Sequence, residues 1–153
     1  MRIFKFGGAS VKDAEGIKNV FSVLEKVGHE DTLLVISAMG KTTNALEVVI
    51  KNYFEKSNEL HSSLQEVKKY HYQILMDLFE DEEHDVYFAV NSHFADLEYF
   101  IRSNKSPNYN FVYDQVVSYG EILSTTIVSH YFAHAGLKNN WIDVRNFIKT
   151  DNT

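Results

Sequence analysis

Short apolar runs alternate with glycine turns at the start of the chain. Residues Arg2–Phe6 alternate apolar and charged side chains and then meet Gly7 and Gly8, which predicts a strand followed by a turn. Asp13 then precedes a predicted helix that it can cap, and Gly28 ends that helix. The apolar residues of this helix recur at helical spacing: Ile17, Val20, Phe21 and Leu24.

A continuous apolar run follows at Thr32–Ile36. It is too short for a helix and rich in branched side chains, so it predicts a strand covered on both faces, as in a parallel sheet. Strand, glycine turn, helix and strand in this order make one βαβ unit, and such units build α/β folds. The predicted fold class is therefore α/β with a mainly parallel sheet.

The middle of the chain has a helical pattern. Thr42 can cap a helix over residues 44–55, whose apolar side chains share one face. A long, polar, helical region follows over residues 58–102, and the acidic run at residues 80–85 predicts a break between two helices within it.

The last part of the chain predicts a loop, a helix and a strand. Residues 103–110 contain the single proline and predict a loop. Residues 111–134 have an apolar helical pattern that ends at Gly136, and residues 141–144 predict a third strand. A covered parallel sheet usually has about five or six strands, so we expect a domain that is cut short, with a free sheet edge that favours self-association.

Composition narrows the class of protein. The 153 residues are 44% apolar, which suits one domain that buries roughly 70% of its unfolded surface. The net charge of −6 argues against a nucleic-acid partner, and the absence of cysteine excludes disulfides and thiolate chemistry. No apolar run resembles a signal peptide or approaches the ~20 residues of a membrane span. We therefore expect a cytoplasmic protein with no nucleic-acid or membrane partner.

The turn after the first strand is a candidate phosphate site. Gly7 and Gly8 allow backbone N–H groups to approach an anion closely, and the following helix points its positive end the same way. Lys5 beside them supplies a positive charge, and Ser10 lies in the same turn. An ordinary strand–helix turn with a surface lysine is the alternative.

A second polar turn, residues 37–44, follows the second strand in the same topological place. Ligands bind at the carboxyl ends of parallel strands, where Ser37 and Thr43 are expected to lie. The string Gly40-Lys41-Thr42 is not a nucleotide P-loop, because Val35 occupies the position of its first glycine.

Glu121 is the third candidate. It stands among apolar residues of a helix, beside Gly120, which predicts close approach of another group at that point. Glu121 either receives a cationic amino group of a ligand or faces solvent. His130 and His134 are one helical turn apart, but there is no third ligand at motif spacing, so surface or partly buried histidines are the better interpretation and no metal site is predicted.

Taken together, these segments resemble the aspartate kinases. Residues 5–11 read Lys-Phe-Gly-Gly-Ala-Ser-Val, close to the Lys-Phe-Gly-Gly-Thr-Ser-Val signature that opens those enzymes. The other matching segments follow in the family's order and spacing: residues 37–39 with 43–46, residues 120–124, and residues 143–145 with Thr150 and Asp151.

The resemblance implies the three-layer αβα amino acid kinase fold. Residues 1–153 would form its amino-terminal, amino-acid-substrate part, with a helical insertion at about residues 58–104. It also implies transfer of the γ-phosphoryl group of ATP to the β-carboxylate of L-aspartate, with Mg²⁺ bridging the ATP phosphates. The nucleotide-binding half and the regulatory ACT domains of the family are absent, so we predict that this chain alone is inactive, and we expect a homo-oligomer.

Residue roles carry over by position. The resemblance implies that Lys5 neutralises the phosphates and the transferring group, and that Gly7, Gly8 and Ser10 line the phosphate path. Ala9 replaces the usual threonine and removes one hydroxyl there.

For the acceptor substrate, the resemblance implies that Ser37 and Thr43 place aspartate and that Glu121 takes its ammonium group. Two alternatives remain: a kinase of the same fold for glutamate, acetylglutamate or a nucleoside monophosphate, and a non-catalytic interaction module that docks partners through the insertion.

Overall fold

The computed structural model describes residues 1–148, which form two strands and five α-helices. The strands are β1 (Arg2–Phe6) and β2 (Thr32–Ile36). The helices are α1 (Ala14–Val27), α2 (Thr42–Phe54), α3 (Leu60–Leu78), α4 (Asp85–Ser103) and α5 (Tyr109–His134), and short 3₁₀ turns cover Gly8–Val11 and Val144–Asn146.

Strands β1 and β2 form a parallel pair. Arg2 lies opposite Thr32 and Phe6 lies opposite Ile36, so both strands end at the same edge of the sheet. Helix α1 makes the crossover between them, as a parallel connection requires. The predicted βαβ unit is confirmed, and it brings the turns after β1 and β2 side by side.

Helix α1 forms as its sequence predicts. The Asp13 side chain accepts a hydrogen bond of 2.8 Å from the N–H of Gly16, which satisfies a donor that the first helical turn leaves free. Gly28, with a φ of 79°, ends the helix in the left-handed region that favours glycine. The buried face of α1 contains Ile17, Val20 and Leu24.

The prediction that β2 is covered on both faces is wrong for residues 1–148. Leu33 and Val35 are 43% and 44% exposed, and Ile3 on the neighbouring strand is 61% exposed. Leu34 and Ile36 point to the opposite face and pack into the core. The sheet therefore has one covered face and one open face, because the described helices pack against a single side.

Helix α2 begins two residues earlier than predicted, and Thr42 does not cap it. Lys41 occupies the N-cap position, while Thr42 is the first residue of the helix. The buried Thr42 hydroxyl donates 2.7 Å backwards to the carbonyl of Met39. Its oxygen therefore fixes the β2–α2 turn instead of accepting from a helical N–H.

The helical region after α2 is two helices, as the acidic break predicts. Helices α3 and α4 are separated by residues 79–84, and Leu75 of α3 and Phe94 of α4 are completely buried. Residues 104–108 form the predicted loop, and α5 ends before Gly136, whose φ is 93°. None of the helices described over residues 1–148 is both long and apolar enough to cross a membrane.

The predicted third strand at residues 141–144 is wrong. Residues 141–143 are irregular and a 3₁₀ turn follows, because the polar groups of this segment bond locally. The Asp143 carboxylate accepts from the backbone N–H of Arg145 at 3.0 Å and from its guanidinium at 2.6 Å. Residues 149–153, including the Thr150 and Asp151 of the resemblance, lie outside the described part of the chain.

Candidate functional site

The carboxyl ends of β1 and β2 bring Lys5 and Ser37 together. Lys5 projects from the open face of the sheet, and its Nζ donates to the Ser37 Oγ at 3.5 Å. Ser37 follows directly after β2, where its N–H donates to the carbonyl of Phe6 at 3.0 Å. Parallel pairing therefore places both side chains at the edge where ligands bind in α/β sheets.

Gly8 is fixed between the two turns. A Cβ added there would lie 2.5 Å from the carbonyl oxygen of Ala38, closer than real Cβ atoms approach. The Gly8 carbonyl accepts 3.0 Å from the N–H of Gly40, which ties the β1 turn to the β2 turn. Any side chain at position 8 must push the two turns apart.

Gly7 differs from its neighbour. A Cβ built on Gly7 meets nothing within 4 Å, so the backbone there faces open space. Its carbonyl accepts 2.9 Å from the N–H of the exposed Ser10, which closes the turn. The surroundings of Gly7 leave room for a ligand to approach the backbone.

Glu121 reaches the same place from α5. Its Oε1 accepts from the backbone N–H of Ala38 at 3.4 Å, while the side chain as a whole is exposed. Gly120 makes this approach possible, because an added Cβ would lie 2.9 Å from the Cβ of Ala38. The close approach predicted at Gly120 is confirmed, and the approaching group is the turn after β2.

Ser124 holds α5 against that turn and was not singled out from the sequence. Its buried hydroxyl donates 2.8 Å to the carbonyl of Ser37. Its position one helical turn after Gly120 was the available signal, since residues four apart share a helix face. Thr43 is half-buried at the second position of α2.

These placements define the candidate site: Lys5, Gly7, Gly8, Ser10, Ser37, Thr43 and Glu121. Direct contacts connect Lys5 to Ser37, and Glu121 reaches the following residue, Ala38. The site presents a cationic and an anionic side chain on an open surface. It can therefore receive a ligand that has both an anionic and a cationic group.

A second polar cluster includes the backbone carbonyl of Glu121. The Thr125 hydroxyl donates 2.7 Å to the carbonyl of Glu121 and accepts 2.9 Å from the Trp141 indole. Next to it, the Arg145 guanidinium holds the pKa of the Asp143 carboxyl below its usual range through their hydrogen bonds. The pair is therefore charged at neutral pH.

The histidines form a separate cluster. The ring of His84 lies 6.0 Å from that of His130 and 5.5 Å from that of His134, between centroids. His84 caps α4, accepting 3.2 Å at Nδ1 from the N–H of Val86. Burial lowers the pKa of His130, and repulsion from His84 lowers it by a smaller amount. Within residues 1–148, no group of three or more His, Asp or Glu side chains is arranged to hold a metal ion.

Comparison with known proteins decides the family. The amino acid kinase family matches the chain over residues 1–153. The chain belongs to the amino acid kinase family.

Several relatives of this chain are aspartokinases. It is 28% identical over 150 residues to the bifunctional aspartokinase/homoserine dehydrogenase 2 of Escherichia coli K12, covering 98% of this chain and 18% of that protein. It is 30% identical over 157 residues to the chloroplastic aspartokinase 1 of Arabidopsis thaliana, covering 97% of this chain and 26% of that protein. The chain thus spans only 18% to 26% of the length of these relatives.

Two solved structures share the fold of this member of the amino acid kinase family. One is E. coli aspartokinase III in complex with aspartate and ADP, with a TM-score of 0.84 at 20% identity, covering 99% of this chain and 33% of that one. The other is the same enzyme with lysine and aspartate, with a TM-score of 0.83 at 21% identity. The predicted family resemblance and α/β fold class are confirmed, and the roles of the individual site residues stay predictions.

Proposed function

We propose that this chain forms the aspartate-binding part of an aspartate kinase. The reaction transfers the γ-phosphoryl group of ATP to the β-carboxylate of L-aspartate and gives 4-phospho-L-aspartate. The observation that carries the proposal is the meeting of Lys5, Ser37 and Glu121 around the turn after β2. The aspartokinase names of its relatives, and the aspartate and ADP named for a structural neighbour, agree with it.

Glu121 is the proposed partner of the substrate ammonium group. Its carboxylate is exposed, and its present contact with the Ala38 N–H is long at 3.4 Å, so it can turn to a stronger cationic donor. Ser37, directly after β2, and Thr43, at the second position of α2, are proposed to hold the carboxyl groups of aspartate through their hydroxyls. This arrangement selects a ligand with a free amine.

Lys5 and the glycine turn are the proposed phosphate side. The exposed Lys5 ammonium supplies a point charge, and the open backbone at Gly7 fits the close approach of a phosphate. Gly8 and Ser10 are proposed to add backbone and hydroxyl donors. Mg²⁺ is proposed to be held mainly by phosphate oxygens, a mode that needs few protein ligands.

This arrangement suits a reaction that needs no general base. The aspartate carboxylate is already a nucleophile, so the residues of this chain act by positioning it and by neutralising charge. Lys5 is proposed to face the charge that grows on the phosphoryl oxygens, while Glu121 and the hydroxyls fix the acceptor.

Aspartate binding to the isotopically labelled chain tests the substrate assignment. In ¹H–¹⁵N spectra we expect L-aspartate to shift the amides of Ala38, Gly40 and Glu121. Glu121→Gln should weaken binding about tenfold, because a charge-assisted hydrogen bond is lost. Glu25→Gln, an exposed change on α1, is the matched control and should leave binding unchanged.

Substrate analogues separate the related kinases. N-acetylaspartate lacks the ammonium group, so its binding should be weak and indifferent to Glu121→Gln. If glutamate, N-acetylglutamate or a nucleoside monophosphate bound more tightly than aspartate, the aspartate assignment would be wrong and the corresponding kinase would replace it.

The reaction itself is tested by ATP-dependent aspartyl hydroxamate formation. We propose that the nucleotide-binding half lies outside these 153 residues, so the chain alone should be inactive. A chimera in which the chain replaces the matching third of E. coli aspartokinase III should be active and should lose activity on Lys5→Ala. Hydroxamate formation by the chain alone would contradict the proposed division of the domain.

Homo-oligomerisation and a cytoplasmic location stay predictions. The open apolar face at Ile3, Leu33 and Val35 supports self-association. Sedimentation velocity of the chain checks the first prediction, and localisation of a tagged chain checks the second.

A further inference from the structure

A cavity of about 420 Å³ lies beside the β2–α2 turn. It opens between that turn and α3, within the size range of small-molecule sites. The residues around it come from three elements and include none of the candidate site: Lys12, Gly40, Lys41, Thr42, Ala45, Glu66, Val67 and Tyr70.

The walls of the cavity are apolar and fixed. Val67 is 2% exposed on α3, and Ala45 lies half-buried on α2. The Tyr70 hydroxyl donates to the carbonyl of Lys12, so its ring is held in place as a further wall. Burial raises the pKa of Tyr70, which keeps that hydroxyl protonated. A ligand that enters therefore meets a preformed apolar surface.

Positively charged side chains outnumber negatively charged ones in the lining of the cavity. Lys12 and Lys41 are exposed lysines of the lining, and Glu66 is its one acidic residue. Asp13 lies outside the lining but close to it, since it forms an ion pair of 3.9 Å with Lys12 and acts electrostatically on Tyr70. The lining therefore has an excess of one positive charge beside an apolar wall.

We propose that this cavity is a binding site for small monocarboxylates that have an apolar body. The carboxylate lies between the ammonium groups of Lys12 and Lys41, and the apolar body packs against Ala45, Val67 and the Tyr70 ring. A single negative charge balances the lining, whereas a dianion meets repulsion from Glu66. The assignment rests on the cavity and does not depend on the proposed kinase reaction.

The cavity is coupled to the candidate site through one glycine. Gly40 lines the cavity and has a φ of 52°, and its N–H donates 3.0 Å to the carbonyl of Gly8. Thr42 lines the cavity, while its neighbour Thr43 belongs to the candidate site. A ligand that shifts the β2–α2 turn therefore also changes the geometry around Gly8 in the candidate site.

Phenylacetate is a suitable probe, and phenylacetamide is its uncharged match. In ¹H–¹⁵N spectra of the 153-residue chain we expect phenylacetate to shift the amides of Gly40, Ala45 and Val67, with a smaller shift at Gly8. A ligand of this size should bind with a Kd on the order of 1 mM. Phenylacetamide should bind at least about fivefold more weakly.

Variants of the lining test whether positive charge strengthens and negative charge weakens the binding of the carboxylate. Lys41→Gln should weaken phenylacetate binding about threefold, and Glu66→Gln should strengthen it by a similar factor. Lys51→Gln removes the same charge from the exposed side of α2 and should have no effect. Ala45→Leu, which fills the cavity, should abolish binding while the rest of the spectrum keeps its dispersion.

Three results would overturn the proposal. They are the absence of saturable shifts at tens of millimolar phenylacetate, equal affinity for phenylacetamide, and shifts confined to residues away from the cavity. If Ala45→Leu fails to fold, the opposite responses of Lys41→Gln and Glu66→Gln still decide the question, since neither changes a buried side chain.

Discussion

The candidate site and the helical insertion are held together by different physical means. In the site, Lys5 and Glu121 are exposed and make contacts of 3.5 and 3.4 Å. In the insertion, Leu75 and Phe94 are completely buried in the core. The site therefore depends on backbone geometry that positions weakly held charges, whereas the insertion depends on the burial of apolar surface. The two regions should respond differently to the same kind of change.

The largest expected effect is in the insertion. Phe94→Ala removes a fully buried ring from α4 and should lower the free energy of unfolding by about 3–5 kcal/mol. Urea denaturation measures this loss. Phe88→Ala, on the same helix but 80% exposed, should change stability by less than about 0.5 kcal/mol. A similar loss for both variants would contradict the distinction between buried and exposed faces of α4.

The next effect is a pH dependence that comes from His71. Burial lowers the pKa of this histidine from 6.5 to about 4, against the smaller opposing effect of its hydrogen bond to the Val67 carbonyl. Between these two pH values the unfolded chain binds a proton that the folded chain does not bind. The contribution of His71 to stability is therefore full above pH 6.5 and falls by about 3 kcal/mol as the pH decreases to 4.

Denaturation curves at several pH values check this. His71→Gln should reduce the pH dependence over this window by the contribution of His71, while the exposed His29→Gln should leave it unchanged. An unchanged slope in His71→Gln would assign the effect to other groups.

A third effect contrasts two adjacent glycines of the candidate site. Gly8→Ala forces a Cβ to within 2.5 Å of the Ala38 carbonyl, so it should cost about 1–3 kcal/mol and weaken aspartate binding. Gly7→Ala adds the same atom into open space and should change stability by less than about 0.5 kcal/mol. Paired thermal melts and aspartate titrations measure both variants. Equal effects would show that the turn is looser than its contacts indicate.

The smallest effect tests how α5 is held against the turn. Ser124→Ala removes a buried hydrogen bond to the Ser37 carbonyl and should cost about 1 kcal/mol. Ser118→Ala removes a bond that is local to α5, to the Gln115 carbonyl, and should cost less. Denaturation of the two variants side by side compares them, and the order of the losses is the decisive result.

The sequence predicts the local structure well where one periodicity dominates. The alternation at Arg2–Phe6, the cap at Asp13 and the acidic break between α3 and α4 all involve neighbours along the chain, and all three are confirmed. The strand predicted at residues 141–144 is wrong because an apolar run contains no information about its hydrogen-bond partner. Thr42 was assigned to the wrong role for a similar reason, since a hydroxyl can bond forwards or backwards.

The sequence proposes the residues of the candidate site, whereas their geometry comes only from the fold. Ordered motifs identified Lys5, Ser37 and Glu121, yet 84 positions separate Ser37 from Glu121 along the chain. Only the fold shows that Glu121 reaches the Ala38 N–H and that Ser124 fastens α5 to the same turn. These contacts depend on packing between residues that are distant along the chain. The periodicity of apolar residues contains no information about such packing.

The open face of the sheet has a dielectric consequence for Lys5. This ammonium group shares its face with Ile3, Leu33 and Val35, three apolar side chains that water now reaches. Two unit charges 4 Å apart attract by about 1 kcal/mol in water and by about 4 kcal/mol where the effective dielectric constant is 20. A layer of protein that covers this face would thus increase the attraction between Lys5 and an anion about fourfold, with the lysine in the same position.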